Sequence, residues 1–489
     1  MQVYIAIDLG AGSGRLVAGV YDGTTLNLEE IHRFSNNGVE IHACCYWNTL
    51  GLFESILEGL QKAVEKYGDA IVSIGADTWG CDYAILDDQG NMLGGHRQYR
   101  DPRIEGMQEE MESRMPMEKI FACTGVQPAF YNSSLHLLAE AVKKNPGFEI
   151  ADRLLFTPDL LAYWLCGVQS NERTVTSTSQ LYDPIQRDWA WDVIDALGLP
   201  RKMFGNIVSS GTVLGPLTDA VAAKAGASNP IQVVASAGHD TASAVAGLPM
   251  ERGGLWLSSG TWSILGVESE KPVTTPEAYA AKLSNEGGVN KTTRLLHNVS
   301  GLWIIQECRR YWAERGEEMS YAELARLAEE AQPHTAYIDP NDPVFALPGD
   351  MPEKIEAFCE KTGQTVPKSK GQLLRVATES LALKYRQVVE SLSEVTGRTF
   401  DKLHAGGGGI QNALLAQATA DALGIQVIAG PVEATSCGNI ITQMVATGDL
   451  ENITAGRSLV AKSMETVIYN PQASADWQEP YQKFLKLIA

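Results

Sequence analysis

The sequence predicts an α/β protein made of two large domains. Its 489 residues are too many for a single hydrophobic core, so the chain is expected to divide. A β-rich segment interrupted by a turn of small residues occurs twice, at residues 3–20 and 255–267, once near the start of each half. Residues 402–428 then have the pattern of strand, glycine-rich turn, helix and strand, which favours a largely parallel sheet. Together these observations predict a duplicated architecture with a central cleft between the two domains.

The elements of the first half follow from hydrophobic spacing. Residues 3–8 and 16–20 are apolar, β-rich runs on either side of a glycine-rich segment, which predicts a hairpin. Apolar residues four apart, from Leu52 to Val64, predict an amphipathic helix over residues 52–67. Similar patterns predict strands at 71–76 and 83–87 and helices at 104–120, 134–143 and 159–166.

The second half repeats the same kinds of pattern. They predict strands at 231–235, 402–404 and 425–428, a hairpin at 255–266, helices at 300–333, 370–396 and 412–423, and a proline-rich loop at 339–352. We expect an N-terminal domain over residues 1–245, a C-terminal domain over 246–455, and a tail at 456–489 that packs on the body.

Composition narrows the class of partner. Lys and Arg number 39 and Asp and Glu 59, a net charge of −20 that disfavours nucleic acid or an anionic membrane surface as the main partner. No run of about 18 apolar residues occurs, so no membrane span is expected. The eight cysteines form no C-x-x-C motif and no zinc-ligand spacing, and the N-terminus lacks the basic region of a signal peptide. We therefore expect reduced cysteines and a cytoplasmic protein, which could be a monomer or a homodimer.

Two turns of small residues could hold an anion. Residues 8–15 combine Asp8 with three glycines, so backbone N–H groups could approach a phosphate closely while Asp8 held a hydrated Mg²⁺. Residues 258–263 offer four hydroxyls and one glycine, which also suit a phosphate. Each segment alone is equally consistent with an ordinary polar turn.

A third glycine-rich segment lies between a strand and a helix. Residues 404–412 contain four successive glycines, and each glycine costs about 0.5–1 kcal/mol within a regular element, so a purely structural turn rarely needs four. Bare backbone beside a helix N-terminus suits a flat ring or a phosphate. Residues 430–439 form another loop before a helix and could line the same side.

Two acidic segments follow predicted strands. Residues 238–241 have the sequence Gly-His-Asp-Thr, and there Asp240 could accept a hydroxyl proton as a general base or cap the following helix. Residues 77–82 place Trp79 among polar groups, which suits a sugar, although the ring could instead cover the core. Tyr99 could add a further polar contact.

Together these segments supply the parts that ATP-dependent transfer to a hydroxyl requires, namely two anion cradles, a base and a nucleoside pocket. Asp8 and Asp240 would repel a triphosphate unless Mg²⁺ intervened, so this interpretation requires the metal. No G-x-G-x-x-G motif follows the first strand with an acidic residue about 20 residues later, which disfavours a nicotinamide dehydrogenase.

In their order along the chain these motifs resemble those of the FGGY family of carbohydrate kinases. The resemblance runs from residue 3 to residue 470 and rests on residues 8–15, 77–80, 238–245, 257–263 and 406–412, with local matches at 31–37, 99–101, 285–288, 298–303 and 428–434. It implies two actin-like (ribonuclease H-like) domains with the active site between them, where domain closure would expel water. Within the family, the motifs are most similar to those of members that act on L-rhamnulose. This implies phosphoryl transfer from ATP to the sugar's 1-hydroxyl in rhamnose breakdown.

The resemblance also implies roles for single residues, with Asp240 as the proton acceptor and Asp8 holding the metal through water. Contacts to the ATP phosphates would come from Ala11, Gly12, Ser13, Gly14 and Arg15. The nucleotide would also be lined by Thr261, Gln306 and Gly408, and the sugar would be contacted by Gly80, His239, Asp240, Thr241 and, at its junction with the nucleotide, Asn298. The chain departs from the family at Gly12, where serine is frequent, and at Cys81, where a small apolar residue is expected.

Two other functions stay open on the sequence alone. A family member that phosphorylates another ketose or polyol, such as fuculose, xylulose or glycerol, would have the same nucleotide-binding half. An actin- or chaperone-like ATPase would also have it, although residues 238–241 suit a hydroxyl acceptor better. Only the residues on the sugar side distinguish these functions.

Overall fold

A computed structural model describes all 489 residues, and it divides into two compact α/β units, as expected. The units are discontinuous in sequence and therefore do not follow the contiguous division expected at residues 245 and 455. The first unit comprises Met1–Gly253, Glu268–Leu295 and Ala434–Met464, and the second comprises Gly254–Val267, Leu296–Glu433 and Glu465–Ala489. The expected C-terminal tail is thus shared, because residues up to Met464 belong to the first unit and the rest to the second.

The main sheet of the first unit has six strands. In spatial order they are Thr212–Pro216, Gln232–Ala235, Ile71–Thr78, Gln2–Leu9, Ser13–Tyr21 and Leu26–Ser35. The expected N-terminal hairpin is present, since Gln2–Leu9 pairs antiparallel with Ser13–Tyr21. The same strand pairs parallel with Ile71–Thr78, which in turn pairs parallel with Gln232–Ala235. Three parallel strands therefore end at the same edge of this sheet.

Strand Gln2–Leu9 is apolar on both faces because both faces are covered. Alternate residues such as Ile5 pack with Ile56 of the predicted helix, which spans Thr49–Tyr67. The residues between them, such as Tyr4, pack instead with residues of helix Ala434–Thr447. This second cover is the physical reason why residues 434–464 belong to the first unit.

The first unit contains further short strands and helices. The strands are Gly38–Ile41, Cys44–Trp47, Tyr83–Leu86, Met92–Leu93, Arg153–Phe156, Asn171–Glu172, Tyr182–Asp183, Asp188–Trp189, Ile207–Val208 and Ser284–Gly287. The helices are Thr49–Tyr67, Met107–Arg114, Met117–Thr124, Ser133–Val142, Gly147–Ile150, Thr157–Cys166, Arg173–Thr176, Trp191–Leu197, Asp219–Ala225, Asp240–Gly247, Pro276–Ala280, Ala434–Thr447 and Ile453–Ser463. The single helix expected at 104–120 is two helices, because Pro116 forces Met115 into an extended conformation.

The second unit repeats the arrangement of the first. Its strands, wholly or mainly within the unit, follow the spatial order Thr293–Val299, Ser263–Ser269, Leu255–Ser259, Lys402–Gly406, Gln426–Ala429 and Val467–Tyr469. Strand Leu255–Ser259 again pairs antiparallel with the next strand and parallel with a later one, Lys402–Gly406. The two strand–turn–strand segments of the sequence thus occupy equivalent places in their two sheets.

Six helices complete the second unit. They are Trp303–Ala313, Tyr321–Glu330, Met351–Lys361, Lys370–Thr396, Ala413–Leu423 and Gln478–Ile488. The helix expected over 300–333 is two helices, because a capping box between Ser320 and Glu323 starts the second one. Helix Lys370–Thr396 has the expected bounds, with a capping box at Ser369.

The helices and the cysteines of this fold bear on membrane spans and disulfides. No helix combines the length and the apolar character that crossing a bilayer requires. All eight cysteines are free thiols, and four of them are buried. The fold therefore contains no disulfide that links distant segments.

Candidate active site

Three acidic side chains lie where the parallel strands of the first sheet end. The strand register places Asp8 opposite Asp77. The next strand is fixed beside them because the N–H of Thr78 donates to the carbonyl of Gly238 at 2.9 Å, and Asp240 follows two residues later. The carboxyl edge of such a sheet is where α/β proteins place ligands. The structure therefore brings together Asp8 and Asp240, which the sequence had placed in one site.

Asp8 is held in a fixed orientation by two donors. Its Oδ2 accepts from Arg15 Nη2 at 2.8 Å and from Ser436 Oγ at 2.9 Å. Arg15, expected at the ATP phosphates, is thus engaged in an ion pair with Asp8. Ser436 stands 428 residues away in sequence and was not among the expected site residues.

The turn after Asp8 presents backbone rather than side chains. The N–H of Gly10 donates to the carbonyl of Ser13 at 2.9 Å, which closes the turn, and Gly12 and Ser13 are exposed while Ala11 is half-buried. Gly14 is buried, and a Cβ there would come within 2.4 Å of the Leu9 side chain. Packing therefore accounts for this glycine, whereas the others leave the turn open to an anion.

Asp77 is fully buried in the interior of the first unit. Its Oδ2 accepts from Asn439 Nδ2 at 2.6 Å, and its Oδ1 has no hydrogen-bond partner. Burial raises the pKa of Asp77 well above its ordinary value, and the nearby charge of Asp8 raises it further. A carboxyl group in this setting favours the neutral form.

Asp240 combines a fixed orientation with access from outside. It is the first residue of helix Asp240–Gly247, and its side chain is 33% exposed. Its Oδ1 accepts from the backbone N–H of Thr241 at 2.5 Å and lies 3.3 Å from Nε2 of His239. Burial raises the pKa of Asp240, while the hydrogen bonds from Thr241 lower it. All these contacts involve Oδ1, so Oδ2 is available to accept a proton.

His239 is clamped by residues that do not stand out in the sequence. Its backbone N–H donates to Thr174 Oγ1 at 3.1 Å, and the preceding N–H donates to Glu172 Oε2 at 3.0 Å. Its ring contacts Glu286 and Arg294, both buried. These partners lie between 47 and 67 residues from His239, so no local motif could have revealed them.

The expected sugar-side segment is largely interior. Gly80 faces Thr178, since a Cβ on the glycine would lie 3.0 Å from that side chain, and Cys81 N donates to Thr178 Oγ1 at 2.9 Å. Trp79, expected to offer a face to a sugar, is buried against Trp47 with ring centroids 4.2 Å apart. Trp79 is therefore a tryptophan that covers the core, which is the alternative that the sequence left open.

In the second unit, a hairpin turn and a helix N-terminus meet. Thr261 and Trp262 form the exposed tip of the hairpin, and the N–H of Trp303 at the start of helix Trp303–Ala313 donates to the carbonyl of Thr261 at 3.0 Å. Gly301 joins the two with a φ of 56°, and a Cβ there would lie 2.4 Å from the backbone N of Ser263. The sequence Ser-Gly-Thr-Trp-Ser thus forms a compact turn with exposed polar groups.

The run of four glycines lies beside the same hairpin. A Cβ on Gly409 would come within 2.1 Å of Ser259 Oγ, so close packing requires that glycine. Gly408 is exposed and has nothing within 4 Å of the equivalent position, which leaves bare backbone available to a ligand. Packing therefore accounts for Gly409, whereas Gly408 is an accessible glycine.

The remaining expected residues also lie in the second unit. Gln306 is half-buried in the first turns of helix Trp303–Ala313. Asn298 is half-buried in strand Thr293–Val299, and its carbonyl accepts from Asn341 Nδ2 at 3.0 Å. Within this unit, therefore, they join Thr261 and Gly408 as accessible polar groups.

Metal binding by protein groups alone is not built into the fold. No three His, Cys, Asp or Glu side chains are arranged to hold an ion directly. Mg²⁺ dehydrates reluctantly and usually keeps several waters, so a single carboxylate can hold it. Asp8 fits such a role, since its carboxylate is partly exposed beside the open turn.

The fold itself is shared with known kinases of sugars and polyols. A ligand-bound xylulose kinase from Lactobacillus acidophilus superposes with a TM-score of 0.84 at 13% identity, over 100% of this chain and 98% of that one. A Plasmodium falciparum glycerol kinase with ADP superposes with a TM-score of 0.79 at 15% identity, over 99% and 97%. At such low identity the similarity establishes the two-domain fold alone.

Sequence comparison defines the class of the protein, which is a carbohydrate kinase. Residues 3–247 match the N-terminal domain and residues 255–447 the C-terminal domain of the FGGY family of carbohydrate kinases. The chain is 41% identical over 488 residues to a rhamnulokinase from Bacteroides thetaiotaomicron, covering 100% of this chain and 99% of that protein. It is 38% identical to a rhamnulokinase from Enterococcus faecalis, covering 99% and 98%. The chain belongs to the FGGY family of carbohydrate kinases.

Proposed function

We propose that this enzyme transfers the γ-phosphoryl group of ATP to the 1-hydroxyl of L-rhamnulose, a step of rhamnose breakdown. The observation that carries the reaction is Asp240, an accessible carboxylate whose Oδ1 is fixed by three contacts while its Oδ2 has none. The full-length similarity to rhamnulokinases supports the identity of the sugar.

In the proposed reaction Asp240 is the general base. Its Oδ2 takes the proton of the 1-hydroxyl as that oxygen forms a bond to the γ-phosphorus, and the bond from the phosphorus to the β,γ-bridging oxygen breaks to release ADP. Burial raises the pKa of Asp240, which makes its carboxylate a better proton acceptor than an exposed one. A base of this kind contributes about 10²–10⁴-fold to the rate.

The charge of the phosphates would be met mainly by backbone N–H groups. Gly12 and Ser13 in the first turn and Thr261 at the tip of the second hairpin offer such groups at exposed positions, and Gly408 leaves room for the nucleotide. Mg²⁺, when bound, supplies the positive charge that the acidic edge lacks, and Asp8 would hold it through water. Gln306 would add a contact along the nucleotide.

The sugar would be held at the carboxyl edge of the first sheet. Gly80 and Thr241 would contact the sugar from segments held by the hydrogen bonds of Cys81 N to Thr178 Oγ1 and of Thr241 Oγ1 to Asp240 Oδ1, and the ring of His239 would lie beside Asp240. Asn298 is assigned to the sugar from the family resemblance. Direct polar contacts of this sort let a site reject sugars that lack the matching hydroxyl.

The test is ADP formation coupled to a dehydrogenase assay, with L-rhamnulose, L-fuculose, D-xylulose and glycerol offered in turn. L-Rhamnulose should give the highest kcat/KM. Asp240→Asn should lower kcat by about 10²–10⁴-fold and leave ATP affinity close to normal, because the amide keeps the shape but cannot take the proton. Asp219→Asn is the matched control, since Asp219 also begins a helix of the first unit but is not among the expected site residues.

Each outcome bears on one part of the proposal. Full activity in Asp240→Asn would refute the base, whereas loss of activity in Asp219→Asn would mean that the change at a helix start is itself harmful. A higher kcat/KM with another sugar would move the substrate to that sugar. ATP hydrolysis that no sugar stimulates would favour the actin- or chaperone-like alternative.

A further inference from the structure

A fully buried arginine stands behind the proposed base. Arg294 has no exposed surface, and its Nη2 lies 2.9 Å from Glu286 Oε2 and 3.0 Å from Nδ1 of His239. Its Nε donates to the carbonyl of Gly287 at 2.9 Å. Burying a charge is costly unless it is paired and hydrogen-bonded, so a guanidinium in this place has a specific set of partners to hold.

The contacts around His239 Nδ1 are mutually exclusive. Arg294 Nη2 is only a donor, so it can bond Nδ1 only when that nitrogen is unprotonated. Glu286 Oε2 lies 3.2 Å from the same nitrogen and is an acceptor, so it can bond Nδ1 only when that nitrogen is protonated. Oε2 already accepts from Nη2, and the Nη2–Nδ1 distance is the shorter of the two.

We propose that Arg294 is a positioning residue that fixes His239 as the neutral tautomer protonated on Nε2. Nε2 then carries its proton 3.3 Å from Asp240 Oδ1, close enough for an electrostatic contact. Together with the two donors of Thr241, it holds Oδ1 so that Oδ2 faces the substrate hydroxyl. Arg294 would thus act on the base through an imidazole rather than by touching substrate. This inference rests on the proposed function, because it assigns a purpose to the orientation of the base.

Another charged residue, Glu172, acts on the backbone before His239 rather than on its ring. Glu172 Oε2 accepts from the N–H of Gly238 at 3.0 Å and from the N–H of Thr174 at 2.8 Å, so it fixes the backbone before His239. Asp8 acts on Asp240 only through its charge. The ring of His239 is therefore oriented by Arg294 and Glu286, and of the two neutral tautomers only the one that accepts from Arg294 on Nδ1 carries its proton on Nε2, beside the base.

The first test measures the tautomer directly and needs no substrate. The ring nitrogens of the uniformly ¹⁵N-labelled enzyme are observed by long-range ¹H–¹⁵N correlation at pH 7, and His239→Gln identifies the signals by their loss. The neutral form with the proton on Nε2 is expected. A ring protonated on Nδ1, or on both nitrogens, would overturn the proposal whether or not the enzyme phosphorylates the expected sugar.

The second test replaces the planar fork by a point charge. In Arg294→Lys one ammonium cannot serve Glu286, Gly287 and His239 in the same geometry. We expect kcat to fall by about 10²-fold through misplacement of the base, with KM for ATP within about twofold of normal. Because the carboxylate of Asp240 then loses the polar N–H group that lies beside it and favours its charged form, the acidic limb of the kcat/KM profile should move to higher pH.

The controls separate positioning from general stability. Arg375→Lys alters another largely buried arginine–glutamate pair, in the second unit, and should leave the tautomer and the pH profile unchanged. Glu286→Gln keeps an acceptor for Arg294 and should retain the Nε2 proton, whereas a switch of tautomer in this variant would show that the glutamate sets it. If Arg294→Lys lowers the melting temperature but leaves the tautomer and pH profile as in the wild type, the arginine is only structural.

Discussion

The stability of the first unit should depend on pH through one buried carboxyl group. Asp82 Oδ2 accepts from two indoles, Trp47 Nε1 at 2.6 Å and Trp79 Nε1 at 2.8 Å. Burial raises the pKa of Asp82 from 3.8 to about 7, although the two indole donors oppose the rise. In the folded protein this group therefore keeps its proton at a pH where an unfolded chain has lost it.

The sign and size of the effect follow from this difference. Between about pH 4 and pH 7 the folded state binds a proton that the unfolded state does not, so the free energy of unfolding falls as the pH rises through this window. The rise from 3.8 to about 7 corresponds to about 4 kcal/mol at 1.36 kcal/mol per pKa unit. For a unit of this size that is roughly 5–10 °C in melting temperature.

The variant Asp82→Asn isolates the effect, because the amide oxygen can still accept from the indoles but carries no titrating proton. Melting temperature is followed by tryptophan fluorescence from pH 4.5 to pH 8. The variant should gain on the wild type as the pH rises to about 7 and level off above it, while Asp88→Asn, an exposed change nearby, should follow the wild type. If the difference between Asp82→Asn and the wild type is the same at every pH, the reasoning about this carboxyl group is refuted.

Two further predictions concern the second unit. Gly301→Ala should weaken ATP binding, measured by calorimetry, several-fold more than Gly316→Ala. Both glycines have positive φ, but only at Gly301 would a Cβ clash, 2.4 Å from the hairpin backbone, so equal effects would argue against the hairpin contact. Ser263→Ala and Tyr385→Phe each break the buried 2.6 Å hydrogen bond between these side chains, and each should lower the free energy of unfolding by about 1–3 kcal/mol. In denaturant unfolding the double variant should lose clearly less than the sum of the two, and additive losses would contradict this coupling.

Local patterns in the sequence predicted most of the elements. The hairpin that ends at Asp8 and the helix Lys370–Thr396 were predicted because periodicity, capping and glycine turns act over a few residues. Two single helices were predicted where the structure has two pairs of helices, which are separated by Pro116 and by the capping box at Ser320. These errors concern boundaries rather than the kind of element.

Long-range partnerships could not be predicted in the same way. Ser436 meets Asp8 across most of the chain, and Arg294 meets His239 across 55 residues, without a repeat or spacing to announce either contact. For the same reason the sequence could not decide whether Trp79 is buried, because its partner Trp47 belongs to a different segment of the chain. Position in a motif predicted which residues belong to the site, whereas their orientation depends on partners that are distant in sequence.

The place of helix Ala434–Thr447 has a consequence for biosynthesis. This helix covers one face of strands Gln2–Leu9 and Ile71–Thr78, yet the ribosome makes it more than 350 residues after those strands. Until it emerges, the nascent chain must carry Tyr4 and its apolar neighbours uncovered, so a truncated product that stops near residue 253 should aggregate or recruit chaperones instead of folding as an independent domain.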